Sequence, residues 1–159
     1  MEDILKILEK DARTTPEQIA VMTGRPVAEV KRLIKQAEDN RTIVRYKTVI
    51  NWEKMEKEEV SALIEIKVQP QREVGFDAIA ERIYRFPEAR TVYLFSGTYD
   101  LAVLVTGKTM HEVAGFVSQK LATLESVQGT VTHFLLKRYK EDGEIIDGGE
   151  KPKRQPLTL

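Results

Sequence analysis

The residues best equipped for chemistry stand together in one short loop. Ser96, Gly97, Thr98, Tyr99 and Asp100 lie between two apolar runs, VYLF before them and LAVLV after them. Hydroxyls, a phenol and a carboxylate beside a glycine can hold a small polar molecule, because they offer donors, acceptors and close access to the backbone. The same residues also suit a plain turn, in which the glycine adopts a positive φ and the aspartate accepts backbone hydrogen bonds. The loop therefore has two interpretations, a binding site or a connection between strands.

A second group of chemically capable residues is cationic. Residues 24–47 hold seven Lys or Arg against three Asp or Glu, whereas residues 48–159 hold 15 against 17. On a helix that opens at Pro26, the spacing puts apolar side chains on one side and polar ones on the other. Lys and Arg there can bind DNA phosphates, and Arg or Gln can read base edges, although a solvated helix face would look the same. The predicted DNA contacts are Arg25, Lys31, Arg32, Lys35, Gln36, Arg45 and Lys47.

The rest of the chain does not favour catalysis or metal binding. No nucleophile–base pair, Gly-rich phosphate loop or catalytic carboxylate pair can be identified. His111 and His133 lie in separate predicted elements and the chain has no cysteine, which does not favour a metal site. We therefore expect no enzyme activity, no metal and no cofactor beyond a small effector.

The composition indicates the cellular compartment of the protein. Charged residues make up 31% of the chain at zero formal net charge, which is typical of a soluble protein. The absence of cysteine fits a reducing compartment, and the sequence carries neither a long apolar run nor a signal-peptide pattern. These features predict a cytoplasmic protein without a membrane partner.

The cationic residues belong to a predicted helix-turn-helix. Residues 2–11 form an amphipathic helix, Thr15 and Pro16 open a second one that Gly24 ends, and a third begins at Pro26. Three short helices with a glycine between the last two match this motif, whose second helix enters the major groove. The β-rich stretch 42–52 predicts an exit strand. We expect a DNA-binding domain at 1–52 and a linker at 53–59.

The loop at 96–100 belongs to a predicted ferredoxin-like domain, residues 60–140. Two β-α-β units align there, so the expected fold class is α+β, with a winged-helix-like helix-turn-helix domain before a β-α-β-β-α-β domain. Residues 141–159 are rich in Gly, Pro and charge and predict a flexible tail. The predicted strands lie at 60–68, 89–95, 100–107 and 129–139, and the predicted helices at 72–86 and 109–124.

The strands beside the loop predict a homodimer. Neither VYLF nor LAVLV alternates between apolar and polar residues, so both faces of these strands favour burial. Both helices would cover only one face of the sheet. We therefore expect a second copy of the domain to cover the other face, because so large an apolar patch is unusual on a monomer.

The order of these domains and the motif in the central hairpin resemble the Lrp/AsnC, or feast/famine, family of transcriptional regulators. The segment from Val30 to Asn51, V-K-R-L-I-K and E-D-N-R-T-I-V-R-Y-K-T-V-I-N, is similar to the family's recognition helix and exit strand. Gly97-Thr98-Tyr99-Asp100 before LAVLV is similar to its G-x-x-D sensor hairpin. Arg25 and Arg41 depart from the family pattern, since a serine cap and a terminal glycine are common at these positions.

The resemblance implies a transcriptional regulator that binds double-stranded DNA and responds to an amino acid or related metabolite. It also implies a dimer through the C-terminal domains, with tetramers or octamers as further assemblies. Backbone N–H groups near Gly97 and Thr98 would meet the effector carboxylate, Asp100 would meet its ammonium, and Tyr99 would form a wall. Thr130 and Thr132 would add hydroxyls from one face of the last strand.

Two rival functions remain open at this point. In the first, the C-terminal domain senses a metabolite while the helical domain binds a protein partner instead of DNA. In the second, the chain is an enzyme, because ferredoxin-like dimers also host catalysis and a fold does not fix a function.

Overall fold

Three helices form the N-terminal unit of the computed structural model, which describes residues 1–55, 59–70 and 75–146. The fully buried side chains of Ile4, Ile19 and Val30 meet in one core, because each helix turns its apolar stripe inward. Contacts divide the chain into this unit, Met1–Ile50, and a second unit, Asn51–Leu159. The helices are α1 (Glu2–Lys10), α2 (Pro16–Thr23) and α3 (Val27–Asp39).

The strand predicted at 42–52 is not formed. Residues 44–51 have no strand pairing, and a short 3₁₀ turn follows at Trp52–Met55. Val44 and Tyr46 stay 72% and 44% exposed. The prediction is wrong for a single chain because a strand persists only where another strand pairs its N–H and C=O groups.

The second unit is built on a four-stranded antiparallel sheet with the order β2-β3-β1-β4. This is the predicted ferredoxin-like arrangement, and the α+β fold class is confirmed. The strands are β1 (Val60–Val68), β2 (Ala89–Leu94), β3 (Leu101–Gly107) and β4 (Val127–Phe134), and the helices are α4 (Asp77–Tyr84) and α5 (Met110–Phe116), the latter followed by a π-helical turn at Val117–Leu121.

Both helices pack on one face of this sheet. Ile64 and Val103 from the central strands are fully buried against Ile83 of α4 and Phe116 of α5. These side chains alternate along the strands with a second set on the opposite face, as the pleat of a sheet requires.

We call the opposite face of the sheet the open face. It remains partly accessible in the single chain, since Tyr93 and Val131 are 59% and 38% exposed. By alternation and register it carries Leu63, Glu65, Lys67, Tyr93, Ala102, Leu104, Val131 and His133.

The C-terminal part differs from the predicted elements. The last strand ends at Phe134 rather than residue 139, because Phe134 already pairs with Ala62 near the start of β1. The prediction of a flexible tail is wrong for residues 141–146, because β5 (Lys140–Glu141) pairs with β6 (Glu144–Ile145) in a small hairpin. Residues 147–159 of the predicted tail, 56–58 of the predicted linker and 72–74 of the predicted helix lie outside the described residues.

None of the helices in the described part of the chain has the length and apolar character that crossing a bilayer requires.

Candidate nucleic-acid interface and ligand-binding hairpin

The turn between α2 and α3 is set by residues at both ends of α2. The Thr15 hydroxyl accepts the N–H of Gln18, and the Gln18 side chain accepts the N–H of Thr15, which completes a capping box. Gly24 ends α2 in the left-handed region, at φ 67°, where its N–H donates to the Ala20 carbonyl. α3 begins shortly after this turn, at Val27, as the sequence predicts.

α3 presents a cationic face to solvent. Its opposite side is packed in the core through Val30 and Ala37, which are 0% and 1% exposed. Solvent-exposed ion pairs such as those of Lys31 and Lys35 contribute little stability, so a phosphate can replace the carboxylate at low cost. The predicted contacts Lys31, Arg32, Lys35 and Gln36 are all exposed, and the ion pairs join Lys31 to Glu17 at 2.8 Å and Lys35 to Asp39 at 3.1 Å.

Arg25 lies apart from this face. Its guanidinium donates to Glu29 Oε1 at 2.8 Å and to Asp3 Oδ2 at 3.2 Å. Hydrogen bonds to Glu29 and then Asp3 raise the pKa of Arg25. The side chain therefore links α1 to the first turn of α3, and the structure does not bring it together with the exposed cations.

Arg45 and Lys47 lie in the segment that forms no strand. Both side chains are exposed, five or more residues beyond the end of α3. Their positions depend on the conformation of residues 44–51 rather than on a helix.

The predicted effector loop closes the hairpin between β2 and β3. The N–H of Phe95 donates to the Asp100 carbonyl at 2.8 Å, and the N–H of Asp100 donates to the Ile66 carbonyl at 3.1 Å. Ser96, Gly97 and Thr98 are exposed at its tip. Tyr99 is partly buried. The hairpin thus offers a short accessible stretch of backbone anchored at its base.

Asp100 is bound by its own chain. The N–H of Val68 donates to Oδ2 at 2.8 Å, and the Lys67 ammonium donates to Oδ1 at 3.1 Å. The hydrogen bond from Val68 and then the contact with Lys67 lower the pKa of Asp100. The carboxylate therefore fastens the hairpin to the end of β1, which is the turn-stabilising alternative that the sequence left open.

Gly97 does not need to be glycine for the fold of the single chain. Its φ is outside the left-handed region, which contradicts the interpretation that the turn requires a positive φ here. A Cβ placed on Gly97 would meet no atom within 4 Å. The accessible backbone at this position is therefore available to a molecule from outside the chain.

Thr130 and Thr132 lie on one face of β4, opposite Ile66 and Ile64 of β1. That is the face that α4 and α5 cover, so neither threonine is on the open face. Leu101 and Thr130 are both paired with Ile66, so Thr130 lies two strand spacings, about 10 Å, from the base of the hairpin. Thr130 therefore lies at the end of the sheet where the hairpin is, and Thr132 lies two residues farther along β4, away from the hairpin.

Among the described residues, neither histidine belongs to a group of three potential metal ligands. His133 is on the open face, with Nε2 3.3 Å from Glu65 Oε2. In residues 1–55, 59–70 and 75–146, no three ligating side chains converge on a common point.

Two lysine contacts in the second unit are not predicted from the sequence. Lys67 contacts the hairpin only because β1 pairs with β3 in this register. The ion pair between Lys120 and Glu88, at 2.5 Å, joins residues 32 positions apart. Alternation along β1 assigns Lys67 to the face of Glu65, but no sequence signal identifies the partner of either lysine.

Family comparison places most of the second unit in a known domain. Residues 61–145 match the model of the Lrp/AsnC ligand binding domain. The uncharacterized HTH-type transcriptional regulator YugG of Bacillus subtilis (strain 168) is 50% identical over 153 residues, which cover 96% of this chain and 92% of the relative. The HTH-type transcriptional regulator FL11 of Pyrococcus furiosus is 29% identical, over 89% of this chain and 91% of the relative.

Solved structures share the fold. The transcriptional regulator NMB0573 of Neisseria meningitidis, crystallised in complex with L-Met, superimposes with a TM-score of 0.69 at 22% identity. The match covers 87% of this chain and 89% of that chain. At this identity, the likeness concerns the fold alone.

Proposed function

Since the chain belongs to the Lrp/AsnC family of HTH-type transcriptional regulators and carries the family's ligand-binding domain, we propose that α3 reads an operator and that a small effector controls the DNA affinity or the assembly of the protein. One observation carries this proposal: the cationic face of α3 is exposed while its other face is buried in the core. A helix held in this way can enter the major groove while its contacts in the core stay in place.

The DNA interface consists of Lys31, Arg32, Lys35 and Gln36, with Arg45 and Lys47 at its flank. Phosphates replace Glu17 and Asp39 as partners of the two lysines, and Arg32 and Gln36 supply hydrogen bonds for base edges. Arg25 has a positioning role, because its guanidinium is already committed to two carboxylates.

The effector binds at the tip of the hairpin. Exposed backbone around Gly97 and Thr98 receives the ligand carboxylate, and the Lys67 ammonium beside Asp100 adds a positive charge. Ser96 and Tyr99 contribute a hydroxyl and a wall. Asp100 holds this arrangement in place, whereas Thr130 lies about 10 Å from the base of the hairpin, on the face that the helices cover, and stays outside it. An amino acid or a related metabolite has the required charges.

The working form is a homodimer. A second copy of the ligand-binding domain covers the open face, where Tyr93 and Val131 are accessible in the single chain. Residues 44–51 offer a further contact, because they form no strand in the single chain and the exposed Val44 and Tyr46 suit pairing with the same segment of the partner. Because a transcriptional regulator acts on DNA inside the cell, we propose that this dimer is cytoplasmic.

A salt titration of DNA binding tests the proposal. We expect the logarithm of the affinity for promoter DNA to fall steeply with the logarithm of salt concentration, and the charge-reversed variants Lys31→Glu, Arg32→Glu and Lys35→Glu each to flatten that slope by about one unit. Glu81→Lys on α4 is the control for a charge change outside the interface. A slope near zero for the wild type contradicts DNA binding.

Binding of a protein by the helical unit is the second candidate function. Val21 and Met22 favour it, because these apolar side chains are 85% and 66% exposed on α2. DNA affinity that is unchanged in all three charge-reversed variants would support this candidate over DNA reading. Enzymatic activity has no comparable support, since YugG and FL11 are HTH-type transcriptional regulators.

A further inference from the structure

A cavity of about 330 Å³ lies in the second unit, away from the hairpin. The last residues of β3, Val105 to Gly107, form one wall, and α5 with its π-helical turn forms another. The hairpin precedes the opposite end of β3, so roughly 14 Å of strand separate the two places. The volume is at the lower end of the range for small-molecule sites, which suits a single small metabolite and not a nucleotide.

The cavity holds a carboxylate with an unused oxygen. Lys120 Nζ donates to Glu88 Oε1 at 2.5 Å. The other oxygen, Oε2, is buried and accepts no hydrogen bond from any described residue. The hydrogen bond from Lys120 lowers the pKa of Glu88, so this carboxylate is ionised at neutral pH. A buried ionised oxygen without a donor is costly, and a ligand N–H would remove that cost.

The ammonium of Lys120 lies near two aromatic rings. Nζ lies 5.4 Å from the ring centroid of Phe86 and 6.0 Å from that of Phe116, while the two rings pack edge to face. An ammonium carries three donors, and Glu88 accepts only one of them. Lys120 can therefore also donate to an acceptor on a ligand.

The π-helical turn supplies polar groups to the same cavity. The N–H of Ala122 donates to the Val117 carbonyl, five residues earlier, at 2.8 Å. Gln119 and Lys120 lie within this wide turn, and both line the cavity. Such turns are rare in proteins and are frequent at functional sites.

The rest of the lining is mixed. Thr106, His111 and Glu112 are polar, and Glu112 Oε2 accepts the N–H of Lys108 at 2.7 Å, whereas one side of the cavity is apolar. Val105, Val113 and Phe116 face the cavity, and a Cβ on Gly107 would come within 3.2 Å of Val113 Cγ2. A branched or aromatic side chain would be sheltered there, beside the charged pair.

We propose that this cavity is a second ligand site, distinct from the hairpin, that takes an apolar α-amino acid. The ligand ammonium donates to Glu88 Oε2, the ligand carboxylate accepts from Lys120 Nζ and Gln119 Nε2, and the side chain lies against Val113 and Phe116. Each chain can then bind one ligand at the hairpin and another at this cavity. The inference does not depend on DNA binding by α3.

Isothermal titration calorimetry of the full chain with L-valine, L-methionine and L-phenylalanine tests this site. We expect at least one of them to bind, and Glu88→Gln and Lys120→Met each to weaken that binding by about 10-fold or more, because each removes one charge-assisted contact. Glu88→Gln keeps the size of the side chain, and Lys120→Met keeps an aliphatic chain over the two rings. Glu81→Gln, an exposed glutamate on α4, is the matched control and should bind like the wild type.

Two further measurements distinguish binding in this cavity from binding at the hairpin and from nonspecific binding. For the amino acid that binds, the corresponding amine and the corresponding carboxylic acid should each bind about 10-fold more weakly, since each lacks one charged group. Gly97→Val should leave binding at the cavity unchanged. The proposal is overturned if none of the three amino acids binds, if both cavity variants bind like the wild type, or if only Gly97→Val loses binding.

A crystal soaked with the same amino acid provides a readout that is independent of variant folding. Ligand density between Glu88 and Lys120 supports the site, whereas water alone beside Glu88 Oε2 in crystals that bind the amino acid elsewhere refutes it. Salt-dependent DNA binding measured on the same preparation reports on the regulator function separately, so the two can fail independently.

Discussion

Arg41, directly after α3, occupies a backbone conformation that favours glycine. Its φ is 61°, in the left-handed region, and its N–H donates to the Glu38 carbonyl at 3.1 Å. A side chain in this region costs about 1–2 kcal/mol, while a glycine costs about 0.4–1 kcal/mol through the extra freedom of the unfolded chain. We therefore predict that Arg41→Gly raises the free energy of unfolding of the N-terminal unit by roughly 0.5–1 kcal/mol.

Arg41→Ala is the control for this prediction. It removes the same exposed, charged side chain but keeps the Cβ, so it should differ from the wild type by no more than about 0.5 kcal/mol. Urea unfolding of the full chain, followed by far-ultraviolet circular dichroism, gives both values, and equal m-values would show that the comparison is of stability alone. An alanine variant as stable as the glycine variant would refute the argument from backbone strain.

Three further predictions concern the cap, the core and the ion pair. Thr15→Ala should lower the free energy of unfolding by about 1 kcal/mol because α2 loses its capping box, whereas Thr15→Ser should not. Ile64→Ala should cost about 2–5 kcal/mol in urea unfolding, because the side chain is fully buried, and Ile64→Val only about 0.5–1.5 kcal/mol. The hydrogen bond from Lys120 lowers the folded pKa of Glu88 below its ordinary 4.5, so its stabilisation is present above that pH and is lost as the pH falls through the folded pKa. Unfolding measured between about pH 6 and pH 3 should therefore show a smaller loss of stability for Glu88→Gln than for the wild type; equal losses would contradict the assignment.

The sequence predicts those features that depend on neighbouring residues. The capping box at Thr15 and the left-handed Gly24 follow from side-chain and backbone preferences within four residues of each other. The apolar stripe of α3 follows from the helical repeat in the same way. The ferredoxin-like order of strands follows from the internal repeat, because two β-α-β units leave few ways to form one sheet.

Features that depend on distant residues could not be predicted. The contacts of Arg25 with Asp3 and of Asp100 with Val68 join residues more than 20 positions apart, and local preferences carry no information about such pairs. The stretch 42–52 has the composition of a strand, but its pairing depends on a partner strand that the single chain does not supply. For this reason the support that Asp100 gives to the hairpin was not predicted, while its contact with the effector stays a prediction.

The empty surroundings of Gly97 have a consequence for mutational scanning. Because a larger side chain there meets nothing within the chain and needs no unusual φ, substitutions should pass any selection based on folding or expression. A scan that selects for regulation would reject the same substitutions if a ligand or a second copy approaches this backbone. Substitutions at position 97 that pass the first scan and fail the second would therefore be those that block a ligand or a second copy without affecting folding.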